Sequence, residues 1–177
     1  MQKIVITGAS GFLGGRLLKH LTHRKSAQRV VGTGRRTERI AEFERQGCCY
    51  EVGDLLDVDF CETLLAETEA VVHCAALSAP WGKREEFVKA NVIVTQNLLK
   101  VAQKTGVKKF IFISTPSIYF NARHRLNVSE SDPLPTKMLN EYADTKWAAE
   151  QVVLSQHSPF FSTIALRPRA LSGAEDH

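Results

Sequence analysis

The stretch TGASGFLG, residues 7–14, stands between a β-branched run at residues 3–7 and an amphipathic segment at residues 11–24. Its glycines have separate tasks in such a turn. Gly8 permits a tight bend, Gly11 lets an anionic group approach the backbone, and Gly14 lets the following helix pack closely on the strand. The first N–H groups of a helix are unpaired donors that favour negative charge. This segment therefore predicts a phosphate-binding turn between a strand and a helix.

The rest of the chain repeats the alternation of short β-branched runs and longer amphipathic segments. Strands are predicted at residues 3–7, 29–33, 48–51, 70–74, 109–114 and 161–167. Helices are predicted at residues 11–24, 37–45, 57–67, 83–104 and 139–156. This alternation predicts a Rossmann-type, doubly wound α/β fold with a parallel sheet buried on both faces. The connection at residues 119–138 exceeds the usual length of about 4–6 residues, which is typical of functional loops.

Composition narrows the class of protein further. The 177 residues, 44% hydrophobic and 24% charged, fit one folded domain over residues 1–177. The net charge of +4 is spread along the chain, which favours a small anionic ligand over nucleic acid. No apolar run is long enough for a membrane span. The four cysteines lack CxxC spacing and no signal peptide precedes them, so we expect a reducing, cytoplasmic location and no metal site.

The second predicted strand is followed by Arg35 and Arg36, where NAD-binding folds usually carry an acidic residue for the ribose hydroxyls. A guanidinium group can instead pair with a 2′-phosphate. The pair therefore favours NADP, with NAD possible. The alternative is a solvated pair facing Glu38 and Glu42.

A carboxylate follows the third predicted strand. Asp54 could accept a hydrogen bond from an adenine amino group, or it could cap the helix predicted to begin near Asp57. His73 and Cys74 end the fourth strand, but no second ligand cluster accompanies them, so they are expected to be strand-end residues beside the cofactor. Trp81 could line a substrate cleft or have an ordinary packing role.

Tyr142 and Lys146 stand four residues apart in the last predicted helix and so share one face. A nearby ammonium group favours the tyrosinate form, which can accept a proton. Upstream, Thr115 closes the fifth strand at the sheet edge where open α/β folds bind ligands, and its hydroxyl could polarise a carbonyl. Ser114 and Ser117 are the alternatives, and all three could merely cap or turn the chain.

Asn91 lies inside the predicted helix at residues 83–104, although its short amide side chain is a poor helix former. We expect it to hold a kink or a water molecule near the site.

The order of these motifs resembles the extended short-chain dehydrogenase/reductase, or NAD-dependent epimerase/dehydratase, family over nearly the whole chain. The shared segments are TGASGFLG, Asp54-Leu55, HCAA at residues 73–76, ANV at 90–92, STPSIY at 114–119, Tyr142 to Lys146, and LRP at 166–168. The loop APWG at residues 79–82 and the stretch STPSIY at 114–119 are most similar to members related to 3β-hydroxysteroid dehydrogenases and to reductases of long-chain 2-alkyl-3-oxo acids.

The resemblance implies that Tyr142 is the catalytic acid/base, that Lys146 assists it and holds the nicotinamide ribose, and that Thr115 takes the family's Ser/Thr position. It implies a cofactor site built from Gly8, Ser10, Gly11, Phe12, Leu13, Gly14, Arg35, Arg36, Asp54, Leu55, Ala75, Ala76, Asn91, Tyr142, Lys146 and Ala170. One departure concerns Phe120, which replaces a glycine of the family's motif.

The expected activity is hydride transfer between a nicotinamide and a secondary alcohol or ketone, of the 3β-hydroxysteroid or 3-oxoacyl type. The alternatives are a sugar-nucleotide epimerase or dehydratase and a non-catalytic NADP-sensing protein, since fold alone does not establish activity. A homodimer is possible. Extended members place a smaller substrate-binding part after the Arg-Pro motif, so we expect this chain to be truncated before it.

Overall fold

The computed structural model describes residues 2–24, 28–122, 125–169 and 171–173. Within them, parallel strands form a six-stranded sheet of order β3-β2-β1-β4-β5-β6. The strands are β1 (Lys3–Thr7), β2 (Arg29–Gly34), β3 (Cys49–Val52), β4 (Thr68–His73), β5 (Lys109–Ile113) and β6 (Ser162–Leu166). The order reverses between β1 and β4, where doubly wound folds open a crevice for ligands. The predicted Rossmann-type fold is confirmed.

The helices follow the strands as the sequence pattern predicts. They are α1 (Phe12–His23), α2 (Ile40–Arg45), α3 (Val58–Leu65), α4 (Arg84–Phe87), α5 (Val94–Lys104) and α6 (Glu141–Ser155). Short 3₁₀ turns cover Thr37–Arg39 and Pro116–Tyr119. The helix predicted as continuous over residues 83–104 is divided, because a π-helical segment, Val88–Ile93, joins α4 to α5. Asn91 lies in that segment, at the place where the sequence predicts a kink.

Strand β1 is buried on both faces of the sheet. Val5 and Ile6 both have 0% exposure, and neighbouring strand residues point to opposite faces. Val5 belongs to an apolar cluster with Leu98 of α5, and Ile6 belongs to a second cluster with Leu18 of α1. Burying each such side chain stabilises the fold by about 1.5–3 kcal/mol. The glycine turn after β1 is thus attached to a strand that is buried on both faces.

Two general properties complete the description. None of the described helices combines the length and the apolar character that crossing a membrane requires. The four cysteines are free thiols: Cys48, Cys49, Cys61 and Cys74.

Candidate active site

The glycine turn between β1 and α1 is packed against neighbouring backbone. Gly8 has a φ of +68°, and a Cβ there would lie 2.6 Å from the backbone nitrogen of Ala75. A Cβ on Gly14 would lie 2.5 Å from the carbonyl oxygen of Gly8. The close approach that Gly14 permits is therefore between α1 and the turn itself, and not between α1 and the strand as predicted.

Gly11 occupies the open side of this turn. Among the described residues, a Cβ at Gly11 would contact only the carbonyl oxygen of Gly8, at 3.3 Å. Gly11 is also the N-cap of α1, and neither a side-chain cap nor an acidic residue occupies the first helical turn. The first N–H groups of the helix therefore face a space that suits an anion. A pyrophosphate fits the residues present at this turn.

The end of β2 presents two guanidinium groups. Arg35 and Arg36 are exposed, and neither pairs with a carboxylate in the part of the chain that the structure describes. Glu42 instead pairs with Lys19 at 3.0 Å and with Arg39 at 2.8 Å. Glu42 therefore does not pair with either arginine, and both guanidinium groups are open to solvent, as the two interpretations of the pair require.

Asp54 shapes the turn after β3. Its Oδ1 accepts a hydrogen bond from the Leu56 nitrogen at 3.0 Å, while Asp57 caps α3 by accepting one from the Phe60 nitrogen at 3.1 Å. The alternative of Asp54 as the helix cap is therefore wrong. Leu55, beside it, is buried in the core, so its side chain supports the site from beneath.

His73 ends β4 as the centre of a buried hydrogen-bond chain. Its Nδ1 lies 2.6 Å from Thr7 Oγ1, and its Nε2 lies 3.0 Å from Thr95 Oγ1. Thr95 donates its own proton to the Asn91 carbonyl at 2.7 Å, and Thr7 Oγ1 accepts from the Ala75 nitrogen at 3.3 Å. These directions assign the proton to Nε2 and require Nδ1 to accept.

Burial lowers the pKa of His73 to about 3, with the charge of Lys146 acting in the same direction. The imidazole is therefore neutral near pH 7, and its hydrogen bond with Thr7 supports the strand end that leads into the glycine turn. Burial raises the pKa of the Cys74 thiol to about 12, which leaves it protonated and a poor nucleophile. In residues 2–24, 28–122, 125–169 and 171–173, no group of three or more potential ligands is placed to hold a metal ion.

Asn91 connects the loop after β4 to α6. Its Oδ1 accepts from the Leu77 nitrogen at 2.7 Å, and its Nδ2 donates to the Leu77 carbonyl at 3.2 Å and to Thr145 Oγ1 at 3.0 Å. Both amide protons are therefore used within the protein. Asn91 fixes the position of α6, and any contact it makes with a cofactor has to use its backbone or the second lone pair of Oδ1.

Lys146 is 2% exposed. Its Nζ donates to the carbonyl of Ile113, at the end of β5, at 2.6 Å and lies 3.9 Å from the ring centroid of Phe112. Burial lowers the pKa of Lys146 to about 7, although Cys74 and Glu150 act to raise it. The ammonium group is thus shielded from solvent at the carboxyl edge of the sheet.

Tyr142 lies one helical turn before Lys146 and is half-buried. Among the described residues, its phenol hydroxyl has no hydrogen-bond partner. The structure therefore brings the predicted pair together on α6, with the hydroxyl available to a ligand.

Thr115 begins the 3₁₀ turn after β5 and is 6% exposed. Its hydroxyl donates to Ser117 Oγ at 3.0 Å and accepts from the Ser117 nitrogen at 3.2 Å. The neighbouring Ser114 Oγ is buried and has no partner in the described structure, an unmatched polar atom that a ligand could satisfy. The site thus contains three hydroxyl groups. The predicted one, Thr115, donates its proton to Ser117, which is one of the two alternatives.

Four further residues bear on the predictions. Phe120, where the family has glycine, follows the 3₁₀ turn with φ −74° and ψ 122°, a conformation open to any residue. Ala170 lies outside the described residues. Ala76 is exposed at the rim of the crevice, and Trp81 is 83% exposed, so its ring does not pack in the core.

Sequence reasoning missed two ionic contacts of α6. Arg84 pairs with Glu141 and, at 2.8 Å, with Asp144, the two acids that bracket Tyr142. Arg167 pairs with the fully buried Glu150. The position of Glu150, one helical turn after Lys146, could have been recognised from the sequence spacing. Its partner Arg167, and Arg84 as the partner of Glu141 and Asp144, could not, because they come from distant segments of the chain.

Comparisons with known proteins agree with this architecture. The NAD dependent epimerase/dehydratase family matches residues 4–177. The 2-alkyl-3-oxoalkanoate reductase of Stenotrophomonas maltophilia is 33% identical over 99% of this chain and 52% of its own length. The decarboxylating sterol-4-alpha-carboxylate 3-dehydrogenase of Bos taurus is 30% identical over 99% of this chain and 48% of its own length.

Solved structures give the same result. UDP-glucuronic acid 4-epimerase from Bacillus cereus, in complex with UDP-glucuronic acid and NAD, superposes with a TM-score of 0.78 and 30% identity. That match covers 94% of this chain and 56% of the epimerase. The chain spans about half the length of the curated relatives it matches.

The fold is thus a Rossmann fold of the extended short-chain dehydrogenase/reductase type. The chain belongs to the NAD-dependent epimerase/dehydratase family, and the resemblance inferred from the sequence is confirmed.

Proposed function

We propose that this protein is an NADP-dependent oxidoreductase that interconverts a ketone and a secondary alcohol. The observation that carries the proposal is the placement of Lys146. Its ammonium group is buried at the carboxyl end of β5, one helical turn from a phenol that has no hydrogen-bond partner among the described residues. A buried cation on the same helix face as such a phenol suits proton transfer to a ligand, and no carboxylate pairs with Lys146 in the described part of the chain.

The cofactor would lie across the crevice between β1 and β4. The glycine turn would hold the pyrophosphate through residues Gly8, Ser10, Gly11, Phe12, Leu13 and Gly14. Arg35 and Arg36 would pair with the 2′-phosphate, and Asp54 with Leu55 would meet the adenine. Ala75 and Ala76 would form the wall of the site, while Asn91, Tyr142, Lys146 and Ala170 would surround the nicotinamide end.

The chain's own residues would handle the proton of the reaction. In the reducing direction Tyr142 gives its hydroxyl proton to the carbonyl oxygen, and Thr115 orients that oxygen by turning its own proton from Ser117 toward it. Lys146 stabilises the tyrosinate that remains and binds the ribose. When bound, the nicotinamide supplies the hydride at C4, so the carbonyl gains one hydride and one proton. Oxidation of the alcohol reverses each transfer.

We propose an apolar substrate, of the 3-oxoacyl or 3-hydroxysteroid type. Trp81 is 83% exposed and Leu139 is 58% exposed. Arg84, three residues after Trp81, pairs with Glu141, two residues after Leu139, so both apolar side chains lie near the helical turn that carries Tyr142. The names of the bacterial reductase and the sterol dehydrogenase describe substrates of this kind.

A sugar-nucleotide epimerase is the second candidate. The similarity to UDP-glucuronic acid 4-epimerase favours it, because that enzyme was solved with a sugar nucleotide and NAD.

The cytoplasmic location, the homodimer and the single domain over residues 1–177 stay predictions.

A deuterium-transfer experiment tests the proposed reaction. The enzyme is incubated with NADPH deuterated at C4 and a 2-alkyl-3-oxo acid or a 3-ketosteroid, and the product is analysed by mass spectrometry. We expect an alcohol with one added deuterium and a matching loss of absorbance at the reduced nicotinamide band. Epimerisation of a UDP-sugar with no net cofactor oxidation would instead establish the second candidate. Cofactor binding without either reaction would support the sensing alternative.

The cofactor preference is tested with Arg35→Asp. We expect NADPH to bind the unmodified protein more tightly than NADH, because NADH lacks the 2′-phosphate. Losing a charge-assisted hydrogen bond costs about 1.5–3 kcal/mol, so the variant should bind NADPH about ten- to a hundredfold more weakly. NADH affinity should change little. Nicotinamide fluorescence titration measures all four affinities.

The matched control is Arg45→Asp, which makes the same change of charge on α2. It should leave both cofactor affinities unchanged. Equal affinity of the unmodified protein for NADPH and NADH, unaltered in Arg35→Asp, would refute the NADP preference.

A further inference from the structure

A buried ion pair joins α6 to the end of β6. Glu150 is 0% exposed and stands one helical turn beyond Lys146. Arg167 directly follows β6, and its Nε donates to Glu150 Oε2 at 3.0 Å while its Nη2 donates to Oε1. The two parallel bonds form the bidentate geometry that only a guanidinium can make with a carboxylate.

The same guanidinium reaches a third element. Arg167 Nη1 donates to the hydroxyl of Tyr119, the last residue of the 3₁₀ turn that Thr115 begins. The Tyr119 hydroxyl in turn donates to the Glu130 carbonyl at 3.2 Å. The guanidinium carbon also lies 5.1 Å from the ring centroid of Tyr119 and 5.8 Å from that of Trp147 on α6.

This arrangement matters because the reacting side chains come from separate elements. Thr115 lies on the 3₁₀ turn and Tyr142 on α6, and their hydroxyls are not hydrogen-bonded to each other. Their spacing therefore depends on contacts between the two elements. Arg167 contacts both, through Tyr119 on one side and through Glu150 on the other.

Building on the proposed function, we propose that Arg167 is a positioning residue for the reaction. It fixes the helix that carries Tyr142 and Lys146 against the turn that carries Thr115. Its contact with Tyr119 extends this support to the long loop that follows, through the Glu130 carbonyl.

The sharpest test is Tyr119→Phe, because it removes one hydroxyl and keeps the Glu150–Arg167 ion pair. A misplacement of reacting groups by about 1 Å can cost as much as a hundredfold in rate, so kcat should fall by about ten- to a hundredfold. The dissociation constant of NADPH should stay within about twofold, since the glycine turn is untouched. Turnover is measured per folded enzyme, with the folded fraction determined by thermal unfolding.

Gln103→Leu is the matched control, because it breaks a tertiary hydrogen bond between α5 and the C-cap of α6, from Gln103 Nε2 to Gln156 Oε1 at 3.1 Å. It should keep the unmodified kcat. Arg167→Lys keeps the charge but loses the fork, so its kcat should fall at least as far as that of Tyr119→Phe. A merely structural role would lower the unfolding temperature of these variants without lowering kcat.

Amide hydrogen exchange separates this inference from the proposed reaction, since it needs no turnover. Tyr119→Phe should speed exchange at the Ser117 and Phe120 amides, which bond within the 3₁₀ turn, and Gln103→Leu should not. Unchanged exchange together with unchanged kcat would overturn the assignment. If the unmodified protein transfers no hydride, the proposed function fails, and unchanged exchange in Tyr119→Phe would then overturn the positioning role independently.

Discussion

Replacing Tyr142 with Phe is expected to lower turnover by about 10²–10⁴-fold, the usual contribution of a general acid or base. The change removes one oxygen atom from a half-buried side chain whose hydroxyl makes no hydrogen bond within the described structure. Folding and NADPH affinity should therefore be preserved. Steady-state rates with the ketone that proves active, and fluorescence titration of the cofactor, measure the two quantities.

Two further variants show whether the loss of turnover is specific to the Tyr142 hydroxyl. Ser155→Ala removes a hydroxyl from the far end of α6, where it donates to the Val152 carbonyl, and should leave turnover unchanged. Lys146→Met should weaken both turnover and cofactor binding, because it removes the buried ammonium from the Ile113 carbonyl and from the ribose. Unmodified turnover in Tyr142→Phe would show that the spacing of Tyr142 and Lys146 is accidental.

The regular elements were predictable because they depend on local periodicity. Strand β1 has the predicted bounds, Lys3–Thr7, and β2 extends one residue beyond its prediction, to Gly34. The helix over residues 83–104 was predicted as continuous because apolar spacing does not register the extra residue of a π-helical turn. Only Asn91, a poor helix former, marked the place.

The site was predictable where its residues are close in the sequence. The glycine turn, the pair of arginines and the Tyr142/Lys146 spacing each lie within a few residues, so a pattern can reveal them. The bonds that support them are long-range. Thr7 and His73 are 66 residues apart, and Lys146 and Ile113 are 33 apart. Such pairs follow from the strand order, and the sequence alone did not supply them.

Local backbone geometry decides the roles of Asp57 and Gly14. Asp57, and not Asp54, caps α3 because its carboxylate reaches the Phe60 nitrogen. Gly14 packs on the turn because α1 crosses directly over the Gly8 carbonyl. Asp54 and Asp57 carry the same side chain and lie three residues apart, so the sequence pattern does not distinguish their roles, whereas the backbone geometry does.

Gly11→Ala is expected to weaken NADPH binding by about ten- to a hundredfold while the fold persists, because one charge-assisted hydrogen bond to phosphate is worth about 1.5–3 kcal/mol. The new Cβ would meet only the Gly8 carbonyl oxygen, at 3.3 Å, and the φ of −91° suits any residue. The methyl group would instead occupy the space that faces the first N–H groups of α1. Fluorescence titration of NADPH and thermal unfolding measure the two effects separately.

Two other glycines serve as references for that result. Gly47→Ala introduces a side chain at φ +68° with no atom within 4 Å, so it should cost about 1–2 kcal/mol of stability and leave NADPH affinity unchanged. Gly8→Ala places a Cβ 2.6 Å from the Ala75 nitrogen and should impair folding and binding together. The three variants thus separate lost affinity from lost stability. If Gly11→Ala binds NADPH as tightly as the unmodified protein, the pyrophosphate does not lie against the open side of this turn.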